Sequence, residues 1–259
     1  MIEEPYRWVE AIANRGEYIE SQLAAGSPIA AIGYRDGILF LTLGRSRQKL
    51  FEIYDRIAMG AIGHPGDIER LRMAAIELAS AEGFTRSAAD VSLRRLAHYS
   101  LSPVLKAAFE QVYGPPYLAR MLFAEIGEKQ ETDLFLRLEY DGAIATNSGT
   151  FAQRRQDFGA ISGSRQSTEL MEAFLGAEHT PGATFERALK IGLDAWTIGH
   201  LALGDGGVKE LPAREKILSE RKERLRTTGL EAAILERDDK SAIRYRALTE
   251  AEIRSALGE

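Results

Sequence analysis

Four histidines, His64, His98, His179 and His200, are the side chains best suited to proton transfer or metal binding, and they stand far apart along the sequence. No two share the i,i+4 spacing that sets a pair of imidazoles on one helix face around a metal. The chain has no cysteine. That removes thiol catalysis, disulfides and cysteine-based zinc sites, and it suits a reducing cytosol. The strings that cradle phosphate (GxxxxGK[ST]), raise a serine on a sharp turn (GxSxG) or bind catalytic zinc (HExxH) are all missing from the sequence. Carboxylates are plentiful but scattered in the manner of solvated helix faces. From residue chemistry alone the expectation is a soluble α+β protein with no cofactor and no metal.

Composition agrees with that reading. Apolar residues make up 45% of the chain and charged residues 27%, the balance of an ordinary globular protein. A net charge of −5 offers no field for nucleic acid or an anionic membrane. Residues 1–26 interrupt their apolar positions with Arg7, Glu10, Arg15 and Glu17, unlike a signal peptide. The longest apolar runs, 29–32 and 37–43, are strand-length and too short to span a bilayer. A cytoplasmic protein is expected, and its 259 residues suffice for one well-cored domain over 1–259.

Residues 5–23 place Trp8, Ile12, Ile19 and Leu23 near helical spacing, with Pro5 at a favoured first position and Gly26 closing the run. The period then changes. Segments 28–34 and 37–43 are apolar and split by Arg35-Asp36-Gly37, a hairpin signal, and 50–55 with 56–63 reads as a second hairpin. A helix is expected over 64–82, closed by Gly83, and another over 89–113, stopped by Gly114-Pro115-Pro116. Four further strands are expected at 117–127, 132–140, 143–151 and 157–163, with Asp141-Gly142 joining the middle pair. Helices at 165–175 and 181–203, strands at 230–237 and 241–248, and a helix at 249–257 complete the chain. Strands and helices in separate blocks argue for antiparallel sheets between helical layers. The segment 205–228 is densely charged, and its expected form is an exposed surface helix that adds little to folding.

The order of these elements, together with the string RQKLFEIYDRIAMGAIGHPGDIERLRMAAIELASAEG at 47–83, resembles the proteasome subunit family. Tyr140-Asp141-Gly142, Gly163-Ser164 and the closing strand–strand–helix at 230–257 are similar to further parts of that family. The resemblance covers nearly the whole chain and is nearest to the α-type subunits of actinobacterial proteasomes. It implies the N-terminal-nucleophile hydrolase fold, a four-layer αββα sandwich of two antiparallel sheets. The helix at 5–23 is similar to the extra N-terminal helix of α-subunits, which crosses the cleft where a β-subunit active site would open.

That resemblance implies a non-catalytic ring subunit that forms the chamber gate and an activator-docking surface. Its partners would be like subunits in a ring, with seven the expected number, then β-type subunits, a ring-shaped ATPase or other activator, and unfolded protein substrates. In α-subunits the residues matching Gly26 and Lys49 line a pocket that receives activator C-termini, the ammonium pairing with the terminal carboxylate. His64 falls where archaeal relatives keep a leucine in that pocket, and Pro5 matches the proline of the family's gate turn. Two other readings stand beside this one. In the first, cleavage at Gly26-Ser27 releases a self-compartmentalised hydrolase with Ser27 as nucleophile, Lys49 beside it and Asp205 as the acidic member. Against it, Leu43 occupies the place of the acidic partner such a lysine needs. In the second, the chain is a catalytically dead scaffold homologue.

Overall fold

Every residue of β1 (Ile29–Tyr34) and β2 (Gly37–Leu43) is buried. Side chains alternate between the two faces of a strand, so such burial requires cover on both sides of the sheet. The computed structural model of the chain describes residues 5–44, 47–146, 156–203, 206–238 and 244–258, and it supplies that cover. In chain order the elements are α1 (Pro5–Leu23), β1, β2, β3 (Leu50–Tyr54), β4 (Ile57–Gly63) and α2 (Pro65–Thr85). After a 3-10 turn at Ala88–Asp90 come α3 (Leu93–Arg95), a π-helical turn at Leu96–Leu101, α4 (Ser102–Glu110), β5 (Ala119–Glu125) and β6 (Leu134–Leu138). The remainder is β7 (Ile144–Thr146), β8 (Phe158–Ile161), α5 (Arg165–Glu178), α6 (Phe185–Leu201), α7 (Arg214–Thr227), β9 (Leu230–Glu236), β10 (Tyr245–Ala247) and α8 (Glu250–Leu257).

Two five-stranded antiparallel sheets result, ordered β10-β9-β2-β1-β8 and β3-β4-β5-β6-β7. The pairing of Tyr34 with Gly37 leaves Arg35-Asp36 as a two-residue turn, and Tyr54 opposite Ile57 leaves Asp55-Arg56. Gly142, at φ +83°, takes the left-handed place in the β6–β7 turn that the sequence predicts for it.

Alternation sorts the apolar side chains into three layers. Ile29, Ala31, Ile38 and Phe40 of the first sheet meet Leu50, Ala58, Leu122 and Phe135 of the second between the sheets. Ala30, Ile32, Leu39 and Leu41 face outward against α5 and α6, where Met171, Leu189 and Trp196 lie. On the opposite side Met59, Ala61, Met121 and Phe123 pack on α2 and the α3–α4 segment through Leu71, Ala75 and Leu105. The expected αββα sandwich with an added N-terminal helix is the observed architecture. Among the described residues no helix is long and apolar enough to cross a membrane, and no three metal-ligating side chains converge.

The helix predicted over 89–113 is broken. Val91 and Ser92 are extended, held by Arg56 hydrogen bonds to the Ala89 and Val91 carbonyls, while the Glu125 carboxylate accepts from the Leu93 N–H. Farther on, Pro103 has no N–H to offer the Tyr99 carbonyl. The backbone widens ahead of it, and the Ser102 N–H reaches back five residues to Ala97. Gly83 does not end α2, which continues to Thr85. The outer parts of the strands predicted at 143–151 and 241–248 lie outside the described residues.

The charged segment 205–228 departs most from expectation. Its helix α7 begins at Arg214, two residues past Pro212, and is docked rather than merely solvated. Ile217 is buried in the outer core layer. Arg214 and Arg221 donate at 2.8 and 2.7 Å to Asp194 on α6, a carboxylate only 3% exposed. A buried charge must be paired, and stripping its partners costs about 3–5 kcal/mol. Replacing both arginines by alanine is therefore expected to lower unfolding stability by about 3 kcal/mol or more, read as a lower urea midpoint. An unchanged midpoint would return α7 to the role of a passive surface helix.

Candidate functional site

Helix α1 ends where several strand ends meet. The Gly26 N–H donates to the Leu23 carbonyl at 2.7 Å, and the Gly26 carbonyl accepts from Gly163, just past β8, at 3.1 Å. A Cβ on Gly26 would lie 2.9 Å from the Leu23 oxygen and 3.1 Å from Ile62 Cδ1, so the close approach of α1 to β4 depends on glycine here. Next in the chain, the Ser27 hydroxyl donates to the Leu43 carbonyl at 2.7 Å. Thr42 Oγ1, 3.4 Å from it, donates to the Pro28 carbonyl. Ser27 thus ties the start of β1 to the end of β2. In the uncleaved chain its nitrogen is bonded to Gly26, so an amine that could act as its base would exist only after cleavage there. Leu43 is buried in the outer layer beside α6 and turns away from Lys49.

Lys49 enters β3 under the control of β9. The Lys49 and Leu50 N–H groups both donate to the Glu231 carboxylate at 2.9 Å, and Ala61 N–H donates to the Lys49 carbonyl at 3.0 Å. The side chain runs past Gly44, where an added Cβ would stand 3.6 Å from Nζ. The residue is half-buried, and among the described residues its ammonium forms no hydrogen bond or ion pair. Burial pushes its pKa below the ordinary lysine value, with the nearby Glu231 charge opposing the shift.

Gly26, Ser27 and Lys49 open onto one groove of about 600 Å³ between the end of α1, the entry of β3, the end of β4 and the first turns of α2. Leu23, Phe51, Ile62 and Ile68 supply apolar wall, while Arg47 and Lys49 supply positive charge. Among the described lining residues the one carboxylate, Glu69, is gripped by both arms of Arg72 at 2.7 and 2.8 Å, which leaves the groove with positive charge to offer. An extended segment with one apolar side chain and one carboxylate suits such a lining.

The structure thus brings Gly26 and Lys49 together. His64 is exposed at the N-terminus of α2, beside the groove but not among its lining residues. Pro5 begins α1, roughly 27 Å along the helix from Leu23 at 1.5 Å per residue. Asp205 lies outside the described residues, as do Met1–Glu4. Sequence reasoning missed Glu231, Arg47, Phe51 and Ile62. No local signal marks Glu231, which acts on a backbone 181 residues away from it. Replacing Glu231 by alanine strands two donors, an expected loss of about 1–3 kcal/mol in chemical denaturation. Glu231→Gln keeps an acceptor and should recover part of it; equal stability in all three proteins would refute the anchoring role.

No protein-family model matches the chain. Its sequence is similar to curated relatives named proteasome subunit alpha. That of Streptomyces griseus is 32% identical over 206 residues, covering 79% of this chain and 70% of the relative. The Streptomyces coelicolor protein is 31% identical over 206 residues, and the Nocardioides protein 28% identical over 252 residues, or 96% of this chain and 87% of the relative.

Proposed function

Because this chain belongs to the proteasome α-subunit family, the non-catalytic structural subunits of that complex, we propose that it builds an α-ring gating the proteolytic chamber and docks activators at the Lys49 groove. In this reading it assembles with like subunits, abuts a ring of β-type subunits that carry the peptidase chemistry, and admits unfolded proteins. The observation that supports docking is the Lys49 ammonium, which has no hydrogen bond or ion pair among the described residues and is set beside Gly26 in a groove with apolar walls. A C-terminal carboxylate of a ring-shaped activator is the fitting ligand, its terminal side chains lying along Leu23, Phe51 and Ile62. Assembly draws on α1. Ile19 and Leu23 are fully buried within the subunit, whereas Trp8, Val9 and Tyr18 remain 46%, 59% and 52% exposed and offer apolar surface to a neighbour.

Charge-assisted contacts contribute about 1.5–3 kcal/mol, so Lys49→Ala should weaken each activator tail roughly tenfold to a hundredfold. Several tails engaging one ring multiply the loss. Ring assembly and hydrolysis of small peptides by the assembled particle should persist while activator-stimulated protein degradation disappears. The pH dependence has a fixed sign. The charged amine is lost as pH rises through its lowered pKa, so docking should fade at a pH where exposed lysines remain charged. Undiminished activator binding by Lys49→Ala, measured by titration, would make Lys49 an ordinary lysine; failure to form rings would make it structural.

A further inference from the structure

The chain uses lysine sparingly, 8 residues against 25 arginines. Lys106, Lys129, Lys190, Lys209, Lys216 and Lys222 are all exposed, and each is a strongly hydrated ammonium in open solvent. Lys49 differs from these six in two respects: it is the one described lysine that is half-buried, and it lines a groove with Leu23, Phe51 and Ile62. Among the described residues its ammonium has no bonded carboxylate. Arg47 lines the same groove and offers a planar guanidinium suited to phosphate. An amine in an apolar recess with a phosphate-binding cation beside it is the arrangement that favours acyl transfer from a small anionic donor.

We propose that Lys49 is the preferred acyl-acceptor site of this protein, taking an acyl group from acyl phosphates, and that its acylation switches off the groove's carboxylate docking. The switch rests on the docking function proposed above; the acceptor chemistry does not. In the step, the neutral Nζ lone pair attacks the acyl carbonyl carbon and a C–N bond forms. The C–O bond to phosphorus's oxygen breaks, and inorganic phosphate leaves with that electron pair, stabilised at Arg47. The extra proton on nitrogen passes to phosphate or water, and a neutral amide remains. Burial that holds the amine below the ordinary lysine pKa enlarges the fraction carrying the lone pair at neutral pH. The product keeps the length of the side chain but loses the charge that a terminal carboxylate would meet.

The test treats the full chain with acetyl phosphate at low conversion and follows each lysine by peptide mass spectrometry across a pH series. Lys49 should label several-fold faster than the six exposed lysines, and its rate should level off at a lower pH than theirs. Labelling of Lys49 at or below the rate of those lysines overturns the acceptor assignment. A Lys49→Arg protein serves as the control, expected to lose that fast site alone and to keep its unfolding midpoint. In a second arm, the acetylated chain is titrated with a synthetic peptide bearing a free C-terminal carboxylate and with its amidated form. Loss of carboxylate-dependent binding on acetylation supports the switch. Selective acetylation with binding unchanged leaves the acceptor site standing and overturns the docking function on which the switch rests.

Discussion

Arg120, the second residue of β5, the central strand of the second sheet, is 3% exposed, and a guanidinium so removed from water must have its donors met. Its partners arrive from three directions. Glu20 of α1 accepts at 2.9 Å, Glu139 just past β6 accepts from Nε, and the Ser162 carbonyl just past β8 accepts at 2.6 Å. Arg137 carries the network onward, bridging Glu139 to Glu172 on α5 at 2.8 Å. One buried charge therefore ties the N-terminal helix to both sheets and, through a neighbour, to an outer layer. Arg15 adds a second hold, donating to the Ala108, Val112 and Gly114 carbonyls at the end of α4. Helix α1 cannot swing away without leaving Arg120 short of an acceptor, and with α1 fixed, the wall formed by Leu23 and Gly26 is fixed too.

The groove is a consequence of that anchoring. It forms where α1 ends, β3 begins, β4 ends and α2 starts, so its lining is contributed by main chain already committed elsewhere. Glu231 is the carboxylate near Lys49, yet it is engaged by the Lys49 and Leu50 backbone N–H groups. It positions the lysine and leaves the ammonium available. Ser27 has its hydroxyl tied to the Leu43 carbonyl, holding the strand ends together in a role that is architectural. The same few residues that could be mistaken for a nucleophile and its base serve instead to join strand ends and to wall one groove.

Much of the sandwich was legible in the sequence because its signals are local. Arg35-Asp36-Gly37 and Asp141-Gly142 mark turns by their own chemistry, and the unbroken apolar runs of β1 and β2 report strands covered on both faces. The predicted helix over 89–113 failed for a non-local reason: Arg56 and Glu125, from other elements, hold Val91–Leu93 out of the helix. The charge run in α7 misled in the same way, since the buried Asp194 that it serves lies on α6. Gly26 and Lys49 were placed through family resemblance. Glu231 was invisible because the groups it binds are adjacent only after folding.

The central claim is that α1 stays in place as a permanent structural element and that Ser27 is never a free N-terminus. Intact-mass measurement of the denatured polypeptide, recovered from assembled particles, tests this most directly. The account predicts a chain that retains the residues preceding Ser27, with a mass near the full 28.6 kDa. A chain shortened to begin at Ser27, with its amino group free, would contradict it and restore the serine as a nucleophile.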